Sequence, residues 1–268
     1  MLASSLTLSV VSHGHGPLLA ALLRELDGQP RLRGVNVIVT LNLDGETLAD
    51  DAYPNLDLRL IRNARPRGFG ANHNAAFRHC GTPWFAVLNP DLRLDGEEPF
   101  SHLLGADVPA PDIAVMAPAV VAPDGGREDS VRTNLTFASL LARRFRHDQP
   151  VWPRIMECSR ADGGFFWLAG MFLLLRSDAY AAVGGFDERF HLYCEDYDLC
   201  ARLWLSGGRL RVDNAVGVIH AAQRDSHRSL RHLRWHFASL FKVWTSRAFW
   251  SVVRRADGRG SGHGREIS

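Results

Sequence analysis

The chain has 268 residues, 46% of them hydrophobic and 22% charged, with a formal net charge of +2 at pH 7. This supports one large α/β domain, or two small ones, with a substantial core. It excludes a chain drawn onto nucleic acid by bulk charge alone, so no nucleic-acid partner is expected.

Leu6 to Ser12 (LTLSVVS) reads as a short strand ending at His13-Gly14-His15-Gly16. Pro17 to Leu26 has helical spacing, with Leu18, Leu19, Leu22 and Leu26 on one face. Val35 to Leu41 predicts a second strand, ending at Asn42-Leu43-Asp44-Gly45, and Leu56 to Ile61 a third. A helix is expected over Ala71 to His79, then a fourth strand over Trp84 to Leu88 that stops at Asn89-Pro90-Asp91. Strands alternating with helices indicate βαβ units and a mainly parallel sheet. Ligands bind beyond the carboxyl ends of such strands, so these tips are expected to face one cleft.

Asp95 to Pro111 reads as a helix with loops and Ile113 to Val121 as a strand. Pro123 to Ser159 contains Gly125-Gly126, Pro150, Pro153 and the cluster Arg143, Arg144 and Arg146, and is expected to be a mobile excursion over the cleft. Phe165 to Leu175 is a nearly unbroken apolar run that suits a strand covered on both faces. Ser177 can cap a helix ending at Gly184-Gly185. A further helix opens on Glu195, Asp196 and Asp198, and Arg211 to Asp213 and Val216 to Ile219 read as short strands closing at His220. Ser229 to Trp250 carries the stripe Leu230, Leu233, Phe237, Leu240, Phe241 and Trp244, with His232, Arg234, His236, Lys242 and Arg247 among or beside it. Such a basic amphipathic helix either lies on an anionic membrane or packs on the domain. Asp257 to Ser268 reads as a disordered tail.

Three features carry chemistry. Asp91, closing an apolar strand, can hold a hard cation such as Mg2+ or Mn2+, although Asn-Pro-Asp is also an ordinary turn. His220 ends a strand on what is expected to be the same rim; alone, a histidine there is more often structural. Arg62 to Asn74 (RNARPRGFGANHN) sets Arg, Gly and Asn before a helix start, where amides and guanidinium groups suit phosphate. Its spacing matches neither G-x-x-x-x-G-K-[ST] nor a good G-x-G-x-x-G. The acids at Glu195, Asp196 and Asp198 serve a helix dipole in any protein, and Asp198 with Arg202 is spaced for an i,i+4 pair. They also follow a buried strand and a glycine turn, where side chains are presented to a cleft.

Taken together, these residues resemble the inverting family 2 glycosyltransferases, in particular their rhamnosyltransferase-like branch, over roughly Leu6 to Arg228. The resemblance is carried by Asn63 with Gly68-Phe69-Gly70-Ala71-Asn72 and Asn74, Leu88-Asn89-Pro90-Asp91, Ala169-Gly170, Gly184-Gly185-Phe186-Asp187-Glu188, Tyr193 with Glu195-Asp196-x-Asp198-Leu199, and His220. It implies an α/β, GT-A fold: one Rossmann-like domain over residues 1–228, its central sheet mixed but mainly parallel, with helices on both faces. A basic helical segment at 229–255 and a disordered tail at 256–268 would follow.

The resemblance implies that Asp91 is the cation-binding carboxylate, His220 the second protein ligand, and Asp196 the general base, with Glu195 supporting it or contacting acceptor. Donor contacts are implied at Ser12, Asn42, Asp44, Arg67, Gly68, Asn74, Asn89 and Gly170. Two departures stand out: Leu41-Asn42 replaces the usual Asp-Asn, and Ser12-His13-Gly14 stands where Tyr-Asn is common. The implied reaction is metal-dependent transfer of rhamnose or another hexose, dTDP-rhamnose being the leading donor, to a hydroxyl of a cell-surface glycan or lipid-linked oligosaccharide. A non-catalytic nucleotide-sugar or glycan-binding module and a nucleotidyltransferase are the alternatives.

Cys80, Cys158, Cys194 and Cys200 form no CxxC pair and no zinc-finger spacing, which fits a reducing compartment. With no signal-peptide pattern and no apolar run near the roughly 20 residues that span a bilayer, the expectation is a cytoplasmic chain, soluble or peripheral at the inner membrane face.

Overall fold

The computed structural model describes residues 2–94, 96–105, 109–136, 153–221 and 230–256. Arg143, Arg144, Arg146 and Pro150 of the expected excursion, and the tail from residue 257, lie outside the described residues.

Four strands, β1 (Leu6–Ser12), β2 (Asn36–Leu41), β3 (Asp57–Arg62) and β4 (Trp84–Leu88), run parallel. Between them lie α1 (Gly16–Asp27) and α2 (Phe69–Phe77). There follow β5 (Leu92–Leu94), α3 (Phe100–Leu104), β6 (Ile113–Val121), β7 (Val131–Thr133), β8 (Ile155–Cys158), β9 (Phe166–Leu168), β10 (Phe172–Arg176) and α4 (Ser177–Ala182). The described chain ends with α5 (Glu195–Leu205), β11 (Arg209–His220), α6 (Leu230–Thr245) and α7 (Arg247–Ala256).

The main sheet has the order β3-β2-β1-β4-β10-β6-β11-β5, with β8 also on β11, and β7 and β9 form a separate ribbon. Strand β10 runs antiparallel to its neighbours and β11 parallel to β6, so the sheet is mixed. The chain steps outward from β1 to β3 and then returns across β1 to β4. In parallel sheets with such a reversal, ligands bind beyond the carboxyl ends of the two strands that flank it, here β1 and β4.

Alternation along the strands feeds two cores. Ala86 and Leu88 of β4 join Leu19, Leu22 and Leu26 of α1 and Phe100 of α3 on one face. Phe85 and Val87 join Ala76 of α2, Tyr180 of α4, Tyr197 of α5 and Phe249 of α7 on the other. Both sheet faces are covered, which is why the strands read as unbroken apolar runs.

Several sequence expectations are corrected. The run Phe165 to Leu175 is two strands in two sheets, β9 and β10, because the chain turns at Ala169-Gly170-Met171. Ser177 does not cap α4; its Oγ donates to the Thr82 carbonyl at 2.7 Å, and Arg176 holds the cap position. Of Asp95 to Pro111, α3 alone is helical among the described residues. The two short strands expected before His220 are the single β11, with a register shift between Asp213 and Gly217. The helix expected over Ser229 to Trp250 breaks at Ser246, whose Oγ accepts from the Phe249 N–H at 3.1 Å and so caps α7. The inner faces of this pair join the domain core through Leu240, Val243, Phe249 and Val252.

Candidate active site

The first half of the site is built by a three-residue strand. After β4 the Asn89 N–H donates to the Met171 carbonyl at 2.9 Å, and the chain turns through Pro90 into β5. Strand β5 pairs with the end of β11 so that Leu92 lies opposite His220, and the Ala221 N–H donates to the Asp91 carbonyl at 2.9 Å. Residues far apart in sequence thereby meet, with His220 Nε2 3.3 Å from Asp91 Oδ2. Burial works to lower the His220 pKa, but the hydrogen bond and charge of Asp91 outweigh it and the net direction is up.

The pair suits a hard divalent cation. Asp91 Oδ1 and His220 Nδ1 are buried with no hydrogen-bond partner, a costly state that a ligand or cation would relieve at the carboxylate. Among the described residues no group of three or more His, Cys, Asp or Glu side chains could hold a metal, so the protein would supply two ligands. Ions of the Mg2+ type are commonly held by one or two protein groups together with substrate phosphates and water.

The second half is the start of α5. Tyr193 (φ 73°) and Cys194 (φ 64°) are both left-handed, a conformation costing about 1–3 kcal/mol each for side chains other than glycine. The loop before them is clamped from two sides. From α2, the Phe69 N–H donates to the His191 carbonyl at 3.0 Å. Gly68 belongs to this contact: a Cβ there would sit 2.8 Å from the His191 carbonyl oxygen. From α6, Ser239 Oγ donates to the Leu192 carbonyl at 2.9 Å and Lys242 Nζ to the Arg189 carbonyl.

Thus held, Asp196 is half-buried and accepts from the Gly170 N–H through Oδ2 and from the Tyr197 N–H through Oδ1, each at 2.9 Å. Glu195 beside it is 5% exposed and its Oε2 has no partner. Burial, then the charge of Asp196, pushes the Glu195 carboxyl up to about 8. Burial also raises Asp196, opposed by the Arg132 charge and the Gly170 and Tyr197 amides. Both carboxyls are thus raised by burial, and Asp196 alone has a cation as well as backbone amides opposing the rise. The third acid, Asp198, is buried against Arg202 at 2.7 Å, the expected i,i+4 pair. Because one turn holds both the Asn89 amide and the Asp196 carboxylate, both halves of the site are fixed to residues 169–171.

The strand tips contain a side chain that sequence reasoning missed. Glu46 Oε1 accepts from the Ser12 hydroxyl and from the Gly14 N–H, while Oε2 is buried with no partner. Asn42 is saturated: it donates to His13 Nδ1 and the Arg67 carbonyl, and accepts from Asn63 and the Arg67 N–H. Asp44 is exposed. Asn74 is saturated too, donating to the Phe186 carbonyl and Glu188 and accepting from Tyr180 and the Phe186 N–H. Between them His73 is fully buried against Ser9 at 2.8 Å, and burial drives its pKa down to about 3, which makes it a neutral strut. Arg67 keeps a partly exposed guanidinium 3.5 Å from Glu188. Arg132, also unforeseen, lies over the Trp167 ring at 5.0 Å on the β7–β9 ribbon. Neither Glu46 nor Arg132 stands in a recognisable motif, so no local signal marks them.

Residues 46–177 match the family model described as Glycosyl transferase family 2. The chain is 31% identical to the N-acetylglucosaminyl-diphospho-decaprenol L-rhamnosyltransferase of Mycobacterium tuberculosis, over 94% of this chain and 88% of that protein. It is 27% identical to the rhamnosyltransferase WbbL of Escherichia coli, over 87% of this chain and 90% of that protein. Among solved structures, the Pyrobaculum calidifontis mannosyltransferase PcManGT in complex with GDP-Man and Mn2+ superposes with a TM-score of 0.58 at 17% identity, covering 96% of this chain and 76% of that one. The S. aureus TarS fragment in complex with UDP-GlcNAc gives 0.61 at 10% identity, covering 95% and 73%. With relatedness at this level along nearly its whole length, the chain belongs to glycosyl transferase family 2 and is a glycosyltransferase.

Proposed function

We propose that the enzyme moves L-rhamnose, or another hexose, from a nucleotide-sugar to a hydroxyl of a lipid-linked oligosaccharide or surface glycan, with inversion and with a divalent cation. The observation that carries this reading is the half-buried Asp196 carboxylate fixed to the same turn as the Asn89-Pro90-Asp91 tip. A sugar hydroxyl is a poor nucleophile until a positioned base takes its proton. Asp196 accepts that proton while the hydroxyl oxygen bonds to the anomeric carbon. The carbon–oxygen bond to the diphosphate breaks through an oxocarbenium-like state, as in glycoside hydrolysis. Attack on the face opposite the leaving group inverts the centre. Glu195, whose carboxyl burial and the Asp196 charge push up to about 8, would stand beside the base as a neutral neighbour.

Asp91 and His220 would hold Mg2+ or Mn2+, which supplies neutralisation of the charge on the departing nucleoside diphosphate. Arg67, Asn89 and Gly170 would contact the diphosphate and sugar. Ser12, Asn42, Gly68 and Asn74 support the donor site through the backbone they fix. Glu46, with an unused buried acceptor at the strand tips and Asp44 nearby in the chain, is suited to an imide N–H of the donor's base. The relatives' names favour rhamnose and a polyprenyl-diphosphate-linked N-acetylglucosamine acceptor, which would be met at the inner face of the cytoplasmic membrane.

The test is release of nucleoside diphosphate from a panel of nucleotide-sugars, with and without Mn2+ and with and without that acceptor. Acceptor- and metal-dependent release from dTDP-rhamnose is expected. Release of pyrophosphate from nucleoside triphosphates would indicate a nucleotidyltransferase, and tight donor binding with no turnover on any acceptor a binding module.

A further inference from the structure

We infer that the outer faces of α6 and α7 form the surface by which this enzyme lies on an anionic phospholipid bilayer. The large hydrophobic side chains most exposed among the described residues are Ile155, Phe237, Phe241 and Trp250, and all but Ile155 belong to this helix pair. Phe237 is 62%, Phe241 67% and Trp250 50% exposed. Their spacing is helical: Arg234, Phe237, Phe241 and Thr245 share one exposed stripe of α6, and Arg247, Trp250 and Arg254 one of α7. The Trp250 indole N–H donates to the Trp244 carbonyl at 2.8 Å, which holds the α7 stripe against the end of α6.

Charge decides the partner. No Asp or Glu occurs from Leu230 to Ala256, while Arg234, Arg247, Arg254 and Arg255 stand exposed around the aromatic rings. Aromatic rings flanked by arginine match the boundary between acyl chains and acidic headgroups. A second copy of the chain would bring the same patch onto itself in a two-fold contact, setting arginine against arginine with no acid to relieve it. The opposite faces of both helices are already buried in the domain, and among the described residues no helix is long and apolar enough to cross a membrane. The surface therefore lies on the bilayer rather than in it.

This placement gives the docked enzyme a defined orientation. The other side of α6 holds the loop at Arg189 and Leu192 that leads into Glu195 and Asp196. The bilayer and the base-bearing loop would then be separated by about one helix diameter, roughly 10–12 Å. An acceptor sugar attached to lipid through a short diphosphate would be presented at that height. The inference deepens the membrane-borne acceptor reading, but its observations are independent of the sugar transferred.

The experiment is flotation of the full chain with vesicles of neutral phosphatidylcholine, or of the same lipid with about one-third phosphatidylglycerol, in the absence of donor and acceptor. Expected are binding to the anionic vesicles, at least tenfold weaker partition for the neutral ones, and a similar loss for Phe237→Ser/Phe241→Ser and for Arg247→Glu/Arg254→Glu. Both double variants should keep the wild-type Tm and the wild-type turnover of a short, soluble acceptor analogue. Failure of the wild-type chain to float, equal flotation of the variants, or a concentration-dependent dimer that the Phe variants abolish would each overturn the assignment. So would tighter binding to oligonucleotide than to vesicles. None of these outcomes touches the transferase reading, which is tested separately by diphosphate release.

Discussion

The backbone N–H of Gly170 donates to Asp196 Oδ2 at 2.9 Å, so the proposed base is held by a peptide group in a turn between two strands and not by another side chain. An amide at position 196 can accept the same hydrogen bond but cannot take a proton. Asp196→Asn should therefore lower turnover by about 10^2- to 10^4-fold while the donor still binds. Product formation and calorimetry with the nucleotide-sugar would measure the two separately. Near-normal turnover would remove Asp196 from the base role, and loss of donor binding would make it a donor contact instead.

The neighbouring acid sets a pH dependence whose sign follows from its direction of shift. Burial and the Asp196 charge push Glu195 up to about 8 from its ordinary 4.5. A carboxyl raised on folding contributes stability that is complete below its unfolded pKa and is lost as pH rises through the folded one. Glu195→Gln has no proton to lose, so its Tm relative to wild type should climb between about pH 5 and about pH 8. Parallel Tm curves for the two proteins would show that the Glu195 proton plays no part. Turnover, in contrast, needs Asp196 ionised, and because burial raises its pKa the acid limb of the rate profile should lie above the ordinary carboxylate value of 3.8.

Asp91 and His220 meet because β5, only three residues long, pairs with the last residues of β11. Removing the carboxylate leaves a single imidazole facing the space a cation would take. Asp91→Ala should weaken donor binding in the presence of Mn2+ by at least about tenfold, with little change in the metal-free affinity. Calorimetry with and without Mn2+ reads the difference directly. An unchanged Mn2+ increment would mean that the cation, if used, is held elsewhere.

How much of this was legible beforehand follows from which contacts are local. Leu6–Ser12, Trp84–Leu88 and Ile113–Val121 occupy the spans expected, because strands covered on both faces write themselves as apolar runs ended by turn residues. The acids at Glu195 and Asp196 were visible as a helix start. The break at Ala169-Gly170-Met171 was not, since small apolar residues continue the pattern of a strand while the backbone turns. The His220 partnership depends on β5, too short to show a period, and Glu46 reaches Ser12 by a contact across 34 residues. Asn42, Gly68 and Asn74 were legible as important but not in kind. Their side chains, or the lack of one, hold neighbouring backbone in place.

That difference in kind separates Asn42 from Glu46. All four hydrogen-bonding positions of the Asn42 amide are used within the protein, on buried or partly buried groups. Asn42→Ala should therefore lower folding stability by about 1–3 kcal/mol, read as a fall in Tm, because it strands the Arg67 backbone groups. Glu46→Gln is a gentler change, since the amide oxygen can keep the Ser12 hydroxyl and Gly14 N–H contacts made by Oε1. The amide nitrogen must then occupy the place of Oε2, turning an acceptor into a donor. If that oxygen receives an N–H of the donor's base, nucleotide affinity should drop roughly tenfold or more while Tm changes little. A Glu46→Gln protein that binds the nucleotide as tightly as wild type would leave the carboxylate only its contacts to Ser12 and Gly14, and base recognition would have to be sought at Asp44 or the backbone around His13.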